Sequence, residues 1–139
     1  VALDGVGEVP AAYLSEGMLY YLAFLALESL SPVACLLVEE PENGLHPARI
    51  REVLGVLRRI SERGTQVLMA THSPLVVNEL KPDEVTIVVR AKGESPRLTR
   101  LCDTPNFEAR SKVYALGELW LSYADGDLEK ALLDPVPVS

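Results

Sequence analysis

Hydrophobic positions in the first half of the chain form two short continuous runs separated by a segment with helical spacing. This order predicts a β-α-β unit. Residues 33–38 are six apolar residues in a row, too few for a stable helix and typical of a strand buried on both faces. Residues 47–63 carry apolar side chains at helical spacing, and a second apolar strand is predicted over 66–71. This order predicts two parallel strands joined by a right-handed crossover.

The same pattern predicts further elements on either side of this unit. Residues 18–30 are apolar almost all round, which is typical of a helix buried between other layers, and Ser15 suits its N-cap. The expected fold class is α/β, with a mainly parallel sheet flanked by helices. The remaining predicted elements are a short strand within 1–10, a short helix or turn at 74–80, a β-hairpin at the sheet edge from 85–90 and 97–102, C-terminal helices at 110–124 and 127–133, and a frayed tail at 134–139.

Polar residues that could take part in catalysis or ligand binding follow both predicted strands. Glu39 and Glu40 end the first strand and should point in different directions, because side chains alternate along a strand. Pro41 stops the strand, the pair Asn43 and Gly44 supplies a turn, and His72 follows the second strand. Since parallel strands end at the same edge, the acidic loop and His72 are expected to lie together, as in α/β ligand sites.

Another candidate site precedes the apolar helix. Ser15, Glu16 and Gly17 occupy its predicted N-terminus, where a hydroxyl and bare amides can bind an anion. Gly17 leaves the first turn free for close approach of another group. Simpler interpretations stay open at each site: Ser15 as a plain helix cap, the two glutamates as solvated carboxylates, and His72 as a structural histidine.

Taken together, these motifs resemble those of ABC-type ATPases over roughly residues 10–80. Residues 33–47 resemble the Walker B strand and its following loop, and Glu-Glu-Pro-Glu-Asn-Gly-Leu-His-Pro is similar to the OLD, RecF and SMC-like branch. Residues 14–17 resemble the ABC signature, with Glu16 replacing its first glycine, and Thr71-His72 resembles the switch histidine. The resemblance implies the C-terminal half of a P-loop NTPase fold of the ABC type.

The resemblance also implies a role for each candidate residue. Glu39 would hold Mg²⁺, Glu40 would act as general base, and His72 would touch the γ-phosphate and the catalytic water. Ser15, Glu16 and Gly17 would contact ATP bound to the opposite subunit of a dimer. The other predicted nucleotide-site residues lie in the loop that resembles the D-loop: Asn43, Gly44 and His46. For His46, a contact at an interface or within the loop is favoured over a direct contact with the ligand.

A phosphate-binding loop of the form Gly-x-x-x-x-Gly-Lys-Ser/Thr does not occur in the 139 residues. In ABC-type ATPases that loop precedes the signature, so residues 1–139 are expected to be the C-terminal part of such a domain without its N-terminal Walker A half. Half a parallel sheet leaves an apolar edge and face uncovered. The chain is therefore expected to be inactive alone and to pair with a second copy or with a partner carrying the missing half.

Composition narrows the choice of partners. The net charge of −7 and the pI near 4.8 argue against a nucleic-acid clamp in this segment, although DNA remains a possible partner of the full-length protein. The two cysteines have no ligand or disulfide spacing and fit a reducing cytosol. A charge, two serines and Pro32 interrupt the apolar stretch 18–38, so we expect no membrane span and a cytoplasmic protein.

The predicted function is ATP binding and hydrolysis, with Mg²⁺, at the dimer interface of an OLD-, RecF- or SMC-like ATPase, in DNA repair or phage defence. One alternative is the cytoplasmic ATPase subunit of an ABC transporter, although transporters usually have Ser-Ala-Leu-Asp where this chain has Asn-Gly-Leu-His. A second alternative is a non-catalytic interaction module that retains the fold.

Overall fold

A computed structural model describes residues 2–3, 7–89 and 95–124, and the chain divides into two compact units, Val1–His72 and Ser73–Ser139. Helices alternate with short strands in the first unit, whereas the described part of the second contains a hairpin and several short helices. The predicted α/β class is confirmed. No helix among the described residues is both long enough and apolar enough to cross a membrane.

The first unit contains most of the predicted elements. The short strand predicted near the N-terminus is present as an antiparallel pair of two-residue strands. Ser15 caps the following helix, as predicted, by accepting a hydrogen bond from the Met18 amide at 3.3 Å. In chain order the elements are β1 (Ala2–Leu3), β2 (Gly7–Glu8), α1 (Glu16–Leu27), β3 (Cys35–Glu39), α2 (Pro47–Glu62) and β4 (Gln66–Ala70).

Strands β3 and β4 pair in parallel, as the β-α-β pattern predicts. Their register runs from Cys35 opposite Gln66 to Glu39 opposite Ala70. Helix α2 is the crossover between them and packs against β4. The carboxyl ends of both strands therefore lie at one edge, and this edge carries the acidic loop.

Helix α2 supplies the core of the first unit. Pro47 starts the helix, and Gly64, at φ +96°, lies just beyond its last residues in a conformation that glycine adopts readily. The apolar face predicted from the sequence is buried, which confirms the amphipathic interpretation. Its buried side chains are those of Ile50, Val53, Leu54, Val56, Leu57 and Ile60.

Helix α1 does not lie between layers, and that prediction is wrong for the described chain. None of its residues is buried, and Met18, Leu19 and Tyr20 are each at least 40% exposed. The helix packs against α2, and Glu28 and Arg59 connect the two elements through an ion pair of 2.5 Å. An apolar sequence indicates a preference for burial, but in the described part of the chain α1 packs mainly against α2.

Strand β3 is also less buried than the sequence predicts. Leu37 is 74% exposed and Leu68 of β4 is 52% exposed, whereas the alternating residues Leu36 and Val38 are half-buried. Cys35, within the strand that was predicted to be buried, is also exposed. The prediction that the strand is buried on both faces is therefore wrong. One face of the parallel pair is apolar and solvent-exposed.

The second unit packs around a small core of its own. Leu101 and Leu119 are fully buried there, and Leu116 and Trp120 pack against the same cluster. Val77, Val85 and Ile87 complete the cluster. The elements are α3 (Pro74–Val77), β5 (Thr86–Val89), β6 (Arg97–Arg100), α4 (Phe107–Arg110) and α5 (Leu116–Ala124).

Two predictions for this unit need correction. The hairpin is present, but β5 and β6 form their own antiparallel two-stranded sheet instead of an edge of the parallel sheet. The helix predicted over 110–124 begins only at Leu116, as α5, because Arg110 ends the preceding short helix α4 and residues 111–115 form a turn. The helix predicted over 127–133 and the tail at 134–139 lie outside the described residues.

Gly117 marks the tightest contact in the second unit. Its amide donates to Asn78 Oδ1 at 2.7 Å, and a methyl group on Gly117 would overlap the Pro74 carbonyl oxygen. We expect Gly117→Ala to lower the free energy of unfolding by about 1–3 kcal/mol, because α3 and α5 must separate. Urea denaturation measures this change.

The matched control for Gly117→Ala is Gly55→Ala in helix α2. Among the described residues, a methyl group on Gly55 would approach Arg59 Nη1 at 3.5 Å, an ordinary van der Waals contact with the end of a flexible side chain. Alanine is favoured over glycine inside a helix by about 1 kcal/mol, so this variant should be neutral or more stable. Equal stability of both variants would contradict the packing of α5 on α3.

Candidate functional site

Glu40 turns the chain at the end of β3. Its amide donates to the Ala70 carbonyl at 2.8 Å, which extends the parallel ladder by one residue beyond Glu39. Its φ is +46°, a left-handed conformation that costs a non-glycine residue about 1–2 kcal/mol. Pro41, which is buried, follows, and the Asn43 amide then donates to the Glu40 carbonyl at 3.0 Å to close the turn. Strain at this position is consistent with a functional constraint on the Glu40 side chain.

The Glu40 carboxylate faces His72 with both oxygens. Oε1 lies 3.7 Å from His72 Nε2, and Oε2 accepts a hydrogen bond from the His72 amide at 3.4 Å. The predicted meeting of the acidic loop with His72 is thus confirmed. The His72 side chain is 88% exposed and that of Glu40 only 26%. A ligand can therefore approach the imidazole from solvent while the carboxylate lies behind it.

Glu40 lies beyond β3 in the left-handed turn, and Glu39 is the last residue of the strand itself. Glu39 shares the exposed face of β3 with Leu37. The described residues contain no cluster of three His, Cys, Asp or Glu side chains that could hold a metal ion. Glu39 offers one exposed carboxylate, and Mg²⁺ is usually held by one or two carboxylates together with substrate phosphates and water.

Two polar residues without a predicted role, Thr71 and Glu42, also lie at this edge. The Thr71 hydroxyl donates to Glu42 Oε1 at 2.5 Å, so the residue next to His72 is tied to the acidic loop. The pKa of Glu42 is raised mainly by burial, and the neighbouring Glu40 carboxyl raises it further, whereas Thr71 opposes the shift. Two features of the sequence could have pointed to these residues. Glu42 is a third carboxylate two residues after Glu40, and Thr71 places a hydroxyl beside His72.

The N-terminus of α1 lies against the same loop. Gly17 is the point of closest approach, because a Cβ there would overlap the carbonyl oxygen of Gly44. Gly44 itself has φ +71°, which favours glycine. The close approach predicted at Gly17 is therefore present, and the approaching group is the chain's own loop. Glu16, the first residue of α1, is exposed beside it.

The rest of the loop leads into α2. His46 is the N-cap residue, and its Nδ1 accepts a hydrogen bond from the Ala48 amide at 3.2 Å. Asn43 is exposed at the turn. The structure thus gives His46 a local capping contact and brings Ser15, Glu16 and Gly17 next to the loop that contains Asn43 and Gly44.

Comparison with known protein families supports this picture of the first unit. Residues 3–78 match the family described as "AAA domain, putative AbiEii toxin, Type IV TA system". The match covers the helix α1, both parallel strands and the crossover helix, and it includes every candidate site residue.

Curated relatives share shorter or weaker similarity. The chain is 43% identical over 51 residues to an ABC transporter ATP-binding/permease protein of Mycobacterium tuberculosis, covering 37% of this chain and 6% of that protein. It is 40% identical over 65 residues to the cell division ATP-binding protein FtsE of Streptococcus pneumoniae, covering 42% of this chain and 28% of FtsE. It is 29% identical over 107 residues to the cytochrome c biogenesis ATP-binding export protein CcmA of Zymomonas mobilis, covering 77% of this chain and 48% of CcmA. The chain thus spans less than half of each of these relatives.

Proposed function

This chain belongs to the AAA-domain family that matches residues 3–78, and from that premise we propose that it forms part of a site that binds and hydrolyses ATP. The observation that carries the proposal is the contact between the Glu40 carboxylate and His72 at the carboxyl edge of two parallel strands. Ligand sites of α/β folds lie at this edge. The relatives named for ATP binding support the same activity.

In the proposed reaction, Glu40 is the general base. Its carboxylate accepts a proton from the water that attacks the γ-phosphate, and the left-handed backbone at Glu40 directs that carboxylate toward His72. His72 is exposed and can donate a hydrogen bond to the γ-phosphate or orient the water. Base and phosphate contact would thus come from the ends of adjacent strands.

Glu39 is the proposed Mg²⁺ ligand. The Mg²⁺ ion would neutralise charge on the phosphates when it is bound with ATP. Glu39 is exposed at the end of β3, whereas Glu40 lies in the turn beyond the strand with its carboxylate beside His72. This separation allows one acid to serve the metal and the other to serve the water.

The N-terminus of α1 is the proposed contact for ATP held by the opposite subunit of a dimer. Ser15, Glu16 and Gly17 lie there, and backbone amides at a helix start favour phosphate. The proposed role of the adjacent loop is to join the two nucleotide sites across the interface. Its proposed residues are Asn43, Gly44 and His46.

The chain would supply the C-terminal part of an ABC-type ATPase domain, residues 1–139, and a second copy or a partner carrying the Walker A half would complete it. The solvent-exposed face around Leu37 and Leu68 supports this proposal, because a parallel sheet is normally covered on both faces. The isolated chain should then bind ATP weakly or not at all.

The finer assignment is to the OLD, RecF and SMC-like branch, in DNA repair or phage defence, with DNA as a partner of the full-length protein. The sequence Glu-Glu-Pro-Glu-Asn-Gly-Leu-His-Pro supports it. A second candidate is the ATPase subunit of a transporter, which the transporter and export proteins among the relatives favour. Co-purification with a membrane subunit would favour the transporter.

The direct test is ATP hydrolysis by the natural full-length protein, with Mg²⁺ and after its chelation. We expect Mg²⁺-dependent phosphate release, and we expect His72→Ala to reduce it by about 10-fold or more because a contact to the reacting phosphate is lost. Lys112→Ala, on the exposed surface of the second unit, is the control and should leave the rate unchanged. Absence of turnover in the unsubstituted protein would favour a non-catalytic interaction module.

A further inference from the structure

Two consecutive residues after β4 hold two carboxylates of the acidic loop. The His72 amide donates to Glu40 Oε2 at 3.4 Å, and the adjacent Thr71 hydroxyl donates to Glu42 Oε1 at 2.5 Å. The bond from Thr71 is the shorter of the two, and it is part-buried. The loop is therefore fastened to the end of β4 at two points, and Glu42 makes the closer one.

The backbone of the loop is strained at one position between these points. Glu40 has the strained φ of +46°, and the turn is closed by backbone hydrogen bonds from Asn43 to Glu40 and from Leu45 to Glu42, each 3.0 Å. A left-handed residue returns to commoner backbone angles when its surroundings relax. A side-chain bond from the far side of the turn to β4 opposes that relaxation.

Glu42 is also unusual in its surroundings. Its Oε2 atom is shielded from solvent and has no hydrogen-bond partner within the part of the chain that the structure describes. Burial raises the pKa of Glu42, and the neighbouring Glu40 carboxyl raises it further. The Glu42 side chain is therefore partly enclosed by the protein and lies near the Glu40 carboxylate, as a supporting contact requires.

We propose that Glu42 is a positioning residue that, anchored by Thr71, holds the Glu40 carboxylate beside His72. Glu42 touches neither substrate nor reacting atoms in this proposal and acts through Glu40. The inference rests on the proposed ATPase function, since it assigns Glu42 a place in that site. Glutamine at position 42 keeps nearly the same shape and an oxygen that can accept the hydrogen bond from the Thr71 hydroxyl.

The test compares three variants of the natural full-length protein: Glu42→Ala, Glu42→Gln and Thr71→Val. Glu42→Ala should lower kcat about 10- to 100-fold, as expected when a catalytic group is displaced by about 1 Å, while KM for ATP stays unchanged. Glu42→Gln should retain most of the activity. Thr71→Val should lower kcat less than Glu42→Ala, and the double variant should be no worse than Glu42→Ala alone, because both residues act through one contact.

A second measurement needs neither ATP nor Mg²⁺. Hydrogen exchange should show faster exchange of the His72 amide and the amides of residues 40–46 in Glu42→Ala, with helix α2 unaffected. Glu42→Gln should exchange like the unsubstituted protein. If Glu42→Ala is poorly folded, Thr71→Val carries the same comparison with a smaller change in the loop.

The outcomes separate this inference from the proposed function. If Glu40→Gln abolishes turnover but Glu42→Ala keeps a normal kcat, only the positioning role fails. If Glu42→Gln loses as much activity as Glu42→Ala, the negative charge is needed and Glu42 is a ligand or base instead. If Glu40→Gln leaves hydrolysis unchanged, the proposed site and the positioning role fall together.

Discussion

Replacing Glu40 with glutamine is expected to reduce ATP turnover by the natural protein by about 10²- to 10⁴-fold, the usual contribution of a general base. The amide has almost the same shape as the carboxylate and its oxygen can still accept the hydrogen bond from the His72 amide. Binding should therefore survive while proton abstraction fails. Phosphate release at saturating ATP measures the loss, and light scattering should show an ATP-bound dimer accumulating.

The control for this substitution is Glu108→Gln in helix α4. Glu108 is an exposed glutamate of the second unit, so the same chemical change is made outside the site. Its turnover should match that of the unsubstituted protein. Unchanged hydrolysis in Glu40→Gln would remove Glu40 from the mechanism, whatever the geometry beside His72.

Gly17→Ala is expected to have the largest effect on stability in the first unit. Helix propensity alone favours alanine over glycine by about 1 kcal/mol. The added methyl group would overlap the carbonyl oxygen of Gly44, which is a backbone atom and cannot move without the loop. Overpacking of this kind typically costs about 1–3 kcal/mol, so the clash should outweigh the propensity and the variant should be less stable.

Urea denaturation separates the two effects when Gly17→Ala is measured beside Gly55→Ala. Both variants gain the same helix propensity, but only Gly17 faces another backbone. A stability of Gly17→Ala at or above that of Gly55→Ala would show that α1 does not press on the loop. Normal stability combined with weaker ATP binding would instead favour the proposed contact to a second subunit.

The local elements of the first unit were predictable because their signals are periodic. Helix α2 has apolar residues on one face, Pro47 at its start and Gly64 after its end, and all three features agree with the structure. Strand β4 follows at a distance that permits only a crossover connection, so its parallel pairing with β3 was also predictable. Sequence separation and side-chain spacing alone determine these features.

Burial was harder to predict because it depends on which surfaces are present. The apolar sequences of α1 and β3 indicate that both elements would be stabilised by packing against another element. The local sequence pattern does not identify that element. In the described chain Leu19 is 43% exposed and Leu37 is 74% exposed. These residues would be buried only if a further layer packed against them. Their apolar character was read correctly from the sequence, but their predicted burial was wrong.

The residue order alone placed an acid and a histidine at one edge, because parallel strands joined by a helix must end on the same side. Three-dimensional packing decided the rest: the left-handed turn at Glu40, the bond from Thr71 to Glu42, and the approach of Gly17 to Gly44. Spacing along a strand specifies a side of the sheet, whereas the direction of a side chain after a turn depends on backbone angles and on neighbours distant in the chain.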